Sequence, residues 1–293
     1  MSLFCNVCGR RTYGQHFVYQ RMNAKQAKGL VVCLHCEDEA ERCATCQIPI
    51  HSSVSYDGLC LSCAAQAPVC AACERRIIRQ VVHNLSNDVY YCEHCFTHQP
   101  HCGVCGGAVG RKGHELHDGR FICAQCHQTA IYDLATAKNL YQRVIGIMSF
   151  HLKMPLKLRP ALLLVDRNQM LEILKQTSPD DIDQPEQVLG IFVQRNERRD
   201  IYIQSGLPQI LMIEVMAHEY AHAWQAENCP WQRKMLIIEG FAEWAAYRVL
   251  TILGAVKKAA LMEWRTDIYG QGLQFMLTLE RQGGAAAVFH ACQ

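Results

Sequence analysis

The chain has 293 residues, enough for a sizeable hydrophobic core and about two domains. Its formal net charge is only +2, and no apolar run approaches the roughly eighteen residues that a membrane-spanning helix needs, so a membrane partner is not expected. The first residues lack the basic and apolar portions of a signal peptide, which predicts a reducing, cytoplasmic location.

Sixteen of the eighteen cysteines form eight Cys-x-x-Cys pairs within residues 1–127. This spacing is typical of zinc ligands rather than of a disulfide framework. Each predicted site combines a leading pair with a closing pair, giving Cys5, Cys8, Cys33 and Cys36; Cys43, Cys46, Cys60 and Cys63; Cys70, Cys73, Cys92 and Cys95; and Cys102, Cys105, Cys123 and Cys126. Modules this small hardly fold without metal, so we expect four structural zinc ions.

The spacing between the four modules is constant. Gaps inside a module vary from 13 to 24 residues, whereas six residues always separate one module from the next, which predicts a fixed packing. An apolar or aromatic residue precedes each closing pair and predicts a strand that leads to those ligands; these residues are Val32, Leu59, Tyr91 and Ile122. His35, His94 and His127 lie beside ligand cysteines, and we interpret them as exposed or hydrogen-bonding neighbours because four thiolates complete each site.

Tandem modules of this kind resemble LIM domains, in which two zinc sites form one domain, and the resemblance implies docking of protein partners. The chain departs from the LIM pattern in its longer six-residue interval and in having cysteine where LIM domains usually have histidine. Four zinc ions on sixteen thiolates would change the charge of residues 1–127 from +2 to about −6. No positive field would then attract phosphate groups, so nucleic acid is not an expected partner.

The chain after residue 127 predicts a mixture of helices and strands. In order, the pattern indicates a helix over 128–151, a strand over Leu156–Val165, a helix over Asn168–Lys175, an acidic loop over 178–186, and a β-hairpin over Gln187–Gln204. Pro160 makes the first strand either an edge strand or a bulged one. A strand of this hairpin could pair with an extended substrate or form plain sheet core.

The sequence His218-Glu219-Tyr220-Ala221-His222 lies in a predicted helix over Leu207–Glu227. Residues four apart lie on one helix face, so both imidazoles can reach one metal ion. Glu219 can then accept a proton from a water bound to that metal. The motif therefore predicts two zinc ligands and a general base.

The third ligand is predicted in the next helix. Hydrolytic zinc needs three protein ligands and an open fourth position, and Glu239 is the next carboxylate in a suitable, mostly buried context. Glu243, one turn later, can accept a hydrogen bond from a ligating histidine. The two-helix pattern resembles the gluzincin metallopeptidases; the alternative is a pair of ordinary amphipathic helices.

An amphipathic segment follows over Val256–Gln282, with an interruption predicted at Tyr269-Gly270-Gln271-Gly272. A zinc hydrolase usually has a Tyr or His that donates to the developing oxyanion, and Tyr269 and His290 are both candidates. Cys229 and Cys292 stand outside the paired pattern, and residues 285–287 predict nothing specific.

Several motifs taken together are similar to the DA-one family of LIM-containing, ubiquitin-regulated peptidases. They are Gly206-Leu207-Pro208, His218-Glu219-x-x-His222-Ala223-Trp224, Glu239-Gly240 and Tyr269-Gly270-x-Gly272. The resemblance covers most of residues 128–280 and includes the order of zinc modules followed by peptidase. It implies a zinc endopeptidase for protein substrates, with His218, His222 and Glu239 as ligands, Glu219 as base and ubiquitin as regulator. The chain shows no acidic, alanine-centred ubiquitin-interacting helix near its start, which favours a compact relative.

The sequence thus predicts an α+β protein, with an array of zinc-ribbon or LIM-like modules over residues 1–127 and a zincin-like metallopeptidase domain over 128–293. We expect one catalytic zinc ion beside the four structural ones, and modules that dock substrates or partners. The alternative function is a non-enzymatic LIM-like adaptor whose degenerate peptidase fold serves as scaffold. The complete ligand set and Glu219 favour the enzyme, because a scaffold has no need of a base.

Overall fold

The structure is a computed structural model that describes residues 3–12, 15–19, 29–51, 55–56, 58–78, 80–177 and 187–293. It divides into two compact units, the first made of Met1–Asn84 and Asp88–Gln99 and the second of Leu85–Asn87 and Pro100–Gln293. The fourth cysteine module therefore shares a unit with the helical part of the chain. The main segment of this unit starts at Pro100, whereas the motifs predict a domain boundary after residue 127. The predicted acidic loop at 178–186 lies outside the described residues.

The first unit contains three cysteine modules with one common design. The elements are β1 (His16–Tyr19), β2 (Leu30–Cys33), α1 (Leu34–Glu39), α2 (Leu61–Gln66), β3 (Val81–Asn84), β4 (Val89–Cys92) and α3 (Glu93–His98), with β1 antiparallel to β2 and β3 antiparallel to β4. In each module the closing pair lies at the start of a short helix. The leading pair lies in a tight turn that ends in a residue with positive φ, such as Gly9 at 72° and Gln47 at 59°.

The residue before each closing pair is buried in all four modules; Val32, Leu59, Tyr91 and Ile122 are each at most 1% exposed. Val32, Tyr91 and Ile122 lie in strands, and Leu59 forms an isolated β-bridge with Tyr56. These side chains supply the small apolar centre of each module. Only a few further apolar side chains, such as Ile50, Ile77 and Val109, are buried in the modules, and a core this small agrees with a fold that depends on metal.

The second unit begins with the fourth module and continues into a mixed α/β region. Its elements are β5 (His114–Glu115), β6 (Phe121–Ile122), α4 (Ala124–Gln128), β7 (Ala130–Ile131), α5 (Leu134–Gly146) with a π-helical turn at Ile147–His151, β8 (Ala161–Val165), α6 (Arg167–Thr177), β9 (Gly190–Arg195), β10 (Arg198–Gln204), β11 (Leu207–Pro208), α7 (Gln209–Asn228), α8 (Met235–Ile252), α9 (Val256–Glu263) and α10 (Ile268–Cys292).

A three-stranded sheet has the order β8-β10-β9, in which β10 runs parallel to β8 and antiparallel to β9. The predicted strand from Leu156 begins only at Ala161, directly after Pro160, because proline lacks the N–H that a sheet hydrogen bond requires. Its edge position is confirmed. The helix predicted over 128–151 begins at Leu134, where the Asp133 side chain accepts a hydrogen bond from Thr136 N at 2.7 Å.

The helices α7, α8 and α10 enclose the main hydrophobic core. Trp224 of α7 stacks on Phe241 of α8 with ring centroids 5.3 Å apart, and Phe289 of α10 contacts both rings. Helix α10 is broken at Gly283 and Gly284, and Gly284 has a φ of 67° that favours glycine. Val288 and Cys292, after this break, are fully buried, so the last turns of the helix contribute to the core.

The interruption predicted at Tyr269 to Gly272 was wrong, because these residues form the first turn of α10. The break lies earlier, between α9 and α10, where the Asp267 side chain accepts a hydrogen bond from Gly270 N at 3.0 Å and caps the helix. Within the described ranges, no helix combines the length and the apolar character needed to cross a membrane.

Candidate metal centre

The sixteen paired cysteines form four clusters whose sulfur atoms lie within 4.8 Å of one another, with the pairing that the spacing predicts. The Sγ–Sγ distance is 3.9 Å for Cys8 and Cys33, 3.8 Å for Cys46 and Cys60, and 3.8 Å for Cys105 and Cys123. Tetrahedral zinc with Zn–S bonds of about 2.3 Å places its sulfur ligands about 3.8 Å apart. The clusters therefore fit four structural zinc ions.

Backbone N–H groups point at the first cysteine of a module. Val7 N and Cys33 N each lie 3.4 Å from the Sγ of Cys5, and Cys60 N lies 3.3 Å from the Sγ of Cys43. Burial raises the pKa of these two thiols, but the N–H groups outweigh burial and lower each pKa to about 6. The thiolate is the form that binds metal, so these backbone N–H groups favour the metal-binding form of Cys5 and Cys43.

A fifth cluster joins the three residues predicted as catalytic ligands. The Nε2 atoms of His218 and His222 are 3.0 Å apart, and Oε2 of Glu239 lies 3.3 Å and 3.6 Å from them, respectively. Ligands about 2.0–2.1 Å from a tetrahedral ion are separated by about 3.3–3.4 Å. The three side chains are 12–19% exposed, so the cluster is not completely enclosed by protein.

Each histidine has a hydrogen-bond acceptor at its other ring nitrogen. Oε1 of Glu243 lies 3.4 Å from Nδ1 of His218, which is the orienting contact predicted for this residue. Oε1 of Gln225 lies 2.9 Å from Nδ1 of His222, and Nε2 of Gln225 donates to the carbonyl of Ile238 at 3.0 Å. Acceptors at Nδ1 select the tautomer whose Nε2 lone pair is available to a metal.

Gln225 was not predicted. It lies three residues after His222 on the same helix, so its side chain falls on the same face. This spacing was the signal that could have identified it, in the same way that Glu243 was identified four residues after Glu239.

The electrostatics of the cluster favour a cation. Burial lowers the pKa of His218, but its contacts with Glu239 and Glu243 outweigh burial and raise the pKa well above the ordinary value. Burial raises the pKa of Glu239, but hydrogen bonds from both histidines hold it far below the usual range. Three carboxylates, including Glu219, thus surround two imidazoles. Arg265 balances part of this negative charge through its contact with Glu243, and a metal ion where the donors meet would balance more of it.

Glu219 lies against the edge strand β9. It is 7% exposed, and its Oε2 accepts a hydrogen bond from Phe192 N at 2.8 Å. Burial raises its pKa above the ordinary value, although the neighbouring histidines oppose the shift. Gly190 makes this approach possible, because a Cβ at that position would clash with Val215 and lie 3.1 Å from Cγ of Glu219.

The two residues predicted as oxyanion donors differ in their surroundings. Tyr269 is partly buried, and its ring centroid lies 6.0 Å from that of His218. His290 is exposed in the last turns of α10. Burial, followed by the charge of Glu239, raises the pKa of Tyr269, so its hydroxyl keeps its proton and remains a donor.

Arg265 was not predicted from the sequence. Its Nη1 lies 3.3 Å from Oε1 of Glu243, its Nη2 lies 2.7 Å from Oδ2 of Asp267, and its guanidinium carbon lies 4.7 Å from the ring centroid of Tyr269. Arg265 thereby connects Glu243, which contacts His218, with Tyr269, the predicted oxyanion donor. No periodic pattern singles out this residue, because it lies in the short connection between α9 and α10.

Two glycines bring α8 and α10 into backbone contact beside the cluster. A Cβ on Gly272 would lie 2.5 Å from the Cα of Gly240, and a Cβ on Gly240 would lie 2.7 Å from the backbone of Gly272. Real Cβ atoms do not approach backbone so closely. The contact explains in physical terms why glycines accompany Glu239 and Tyr269 in the two motifs.

Comparison of the chain with models of known protein families found no match, and a search of curated proteins found none.

Proposed function

We propose that the chain is a zinc-dependent metallopeptidase of the gluzincin type that cleaves protein substrates, and that it is a compact relative of the DA-one family. The observation that carries the proposal is the convergence of the Nε2 atoms of His218 and His222 with Oε2 of Glu239. Three protein ligands leave a tetrahedral position for water or substrate, which hydrolytic zinc requires. The four-cysteine clusters leave no such position.

The chain supplies the other groups that peptide hydrolysis requires. A zinc ion held by the three ligands would polarise the scissile carbonyl and lower the pKa of a water molecule. Glu219 would accept one proton from this water as its oxygen bonds to the carbonyl carbon. It would then pass the proton to the amide nitrogen as the C–N bond breaks. Tyr269 would donate a hydrogen bond to the oxygen that gains negative charge.

The edge strand β9 is suited to holding an extended substrate. It pairs with β10 on one side, and Phe192 N on this strand donates to Glu219. A peptide that lay along this edge would have its backbone next to the base. The cysteine modules would dock substrates or a regulator. The DA-one resemblance implies that this regulator is ubiquitin. A cytoplasmic location stays a prediction from the sequence.

Glu219→Gln gives the sharpest test, because it removes the base and preserves the shape of the side chain. We expect about five zinc ions per chain in both the wild type and the variant, since Glu219 is not a ligand. Cleavage of an unfolded, labelled protein should fall about a thousandfold. Glu197→Gln, in the exposed turn between β9 and β10, is the matched control and should cleave like the wild type.

Equal cleavage by the wild type and Glu219→Gln would contradict the mechanism. A wild type with only about four zinc ions, even after zinc is added, would contradict the catalytic metal site. A wild type that holds about five zinc ions but cleaves no unfolded protein would favour the non-enzymatic adaptor.

A further inference from the structure

A buried arginine of the fourth cysteine module contacts the segment that leads into α7. Arg120 is 5% exposed, and its Nε donates to Oδ2 of Asp118 at 2.9 Å. Its Nη1 donates to Oε1 of Gln204 at 2.7 Å, and its Nη2 donates to the carbonyl of Ser205 at 2.8 Å. Gln204 ends β10, and α7 begins five residues later. One guanidinium therefore fixes the approach to the helix that carries both histidines.

Asp118 extends this network to a second element. Its side chain is fully buried, and Oδ2 also accepts a hydrogen bond from Arg167 N at 3.0 Å, at the start of α6. Burial raises the pKa of Asp118, but Arg120 and Arg167 N outweigh burial and lower it, so the side chain stays ionised. A buried ion pair is tolerated only where its geometry is good and its remaining atoms are hydrogen-bonded. This pair meets both conditions.

The backbone after the module makes further contacts with the same segment. Gly206 N donates to the carbonyl of Ile131 at 2.7 Å, and Gln209 N donates to the carbonyl of Thr129 at 2.9 Å. The short strands β7 and β11 pair antiparallel, with Leu207 opposite Ile131. The first N–H groups of a helix have no partner within the helix, so the module supplies one for the first residue of α7.

These contacts depend on residues that the fourth zinc ion would hold. Asp118 and Arg120 lie between the ligands Cys105 and Cys123, and Thr129 follows Cys126 closely. Small four-cysteine modules fold only when metal is bound. Loss of this zinc ion would therefore release the groups that fix the start of α7.

We propose that the fourth zinc module is a structural part of the His218–His222–Glu239 site, with Arg120 as the positioning residue between them. Zinc at Cys102, Cys105, Cys123 and Cys126 fixes the start of α7 and thereby strengthens zinc binding by the two histidines. Such coupling between binding sites is reciprocal, so each ion raises the affinity for the other. The inference shares with the proposed function the assumption that zinc binds at the histidines, but it requires no peptidase activity.

The first test compares two pairs of cysteine substitutions in the full-length protein. Cys33→Ser with Cys36→Ser removes ligands from the first module, and Cys123→Ser with Cys126→Ser removes the equivalent ligands from the fourth. From a wild type with about five zinc ions, we expect about four in the first variant and about three in the second. About four in both variants would overturn the proposal.

Arg120→Lys is the second variant, and it remains informative if the cysteine substitutions in the fourth module prevent folding. Lysine keeps the charge of Arg120 but cannot bond to Asp118, Gln204 and Ser205 together. We expect zinc affinity at the histidine site, measured by competition with a chelator, to fall about tenfold. Arg76→Lys is the matched control, since Arg76 donates to two carbonyls of the first unit, and it should leave this affinity unchanged.

Amide hydrogen exchange separates this proposal from the proposed function. Exchange in the first turns of α7 should become about tenfold faster in Arg120→Lys, whether or not the histidines bind zinc. Unchanged exchange together with unchanged zinc affinity would overturn the positioning role. A wild type that leaves the histidine site without zinc would refute the peptidase, while the exchange measurement would still decide the role of Arg120.

Discussion

The four-cysteine sites and the His218–His222–Glu239 site assemble their ligands in opposite ways. Each cysteine site takes all its ligands from one tight turn and one short helix, with a small apolar cluster packed around the sulfur atoms. The histidine site takes its ligands from two long helices that are packed in the main core. The first kind of site needs its metal to fold, whereas the second is built by apolar packing and can exist before the metal binds.

Stepwise removal of zinc tests this difference most directly and should have the largest effect. A chelator at neutral pH should first remove the ion from the partly exposed histidine site, with complete loss of peptidase activity and no loss of helix. Removal of zinc from the cysteine sites should follow and unfold the modules. Zinc release and far-ultraviolet circular dichroism, recorded together, check the order. Loss of helical signal with the first ion would contradict the comparison.

Gly272→Ala should disturb the packed site and leave the metal-dependent sites of the first unit intact. The new Cβ would lie 2.5 Å from the Cα of Gly240, so α8 and α10 would have to separate. We expect a loss of about 3 kcal/mol in the free energy of unfolding of the second unit, measured with urea. Gly146→Ala is the control, because its Cβ would meet no atom within 4 Å, and it should be neutral or slightly stabilising. Equal effects of the two substitutions would refute the role of the glycine contact.

Gln225→Leu should weaken the histidine site without affecting any cysteine site. The substitution removes the acceptor at Nδ1 of His222, so the ring is no longer held in one orientation. We expect zinc affinity at this site to fall about tenfold, measured by competition with a chelator, while four ions stay bound in the cysteine clusters. Gln282→Leu, on an exposed position of α10, provides the control. An affinity equal to that of the wild type would mean that packing alone orients His222.

Glu214→Gln should give the smallest effect, which is a change in how the free energy of unfolding depends on pH. It replaces a buried carboxyl group that no bound metal would neutralise. Glu214 lies one turn before His218, and its Oε2 is 2.9 Å from Nζ of Lys258. Burial raises its pKa above the ordinary value, and the charge of Glu243 adds to the shift, while Lys258 and Arg265 oppose it. The folded protein therefore binds this proton more tightly than the unfolded chain does.

A raised carboxyl pKa stabilises the fold at low pH, and this stability is lost as the pH rises through the folded value. The unfolding free energy of the wild type should therefore decline relative to that of Glu214→Gln as the pH rises above about 4.3, the ordinary pKa of a glutamate. Urea unfolding at several pH values measures the difference. A constant difference would show that Lys258 cancels the effect of burial.

Much of the metal chemistry could be predicted because its signals are local. Cys-x-x-Cys spacing fixed the composition of all four cysteine clusters, and the spacing of His218 and His222 on one helix placed both beside Glu239. The hairpin of β9 and β10 and the helices α7 and α8 were also predicted, because their apolar residues recur with a clear period.

The remaining features depend on contacts between distant segments. Arg265 and Arg120 act through partners that only the folded chain brings near them, and neither belongs to a periodic pattern. The start of α10 was misplaced because glycine usually interrupts a helix, whereas here Asp267 caps the helix and the glycines serve a close contact.

The contact between Gly240 and Gly272 limits how much the separation between Glu239 and Tyr269 can change, both through thermal motion and through substitution of nearby residues. Because it joins backbone to backbone, the separation between Glu239 and Tyr269 does not depend on the rotamer of any intervening side chain. Thermal exchange among rotamers in the surrounding core should leave that separation nearly constant. Apolar residues around the two glycines can therefore be exchanged during evolution at the expense of stability, while the geometry available to a substrate is preserved.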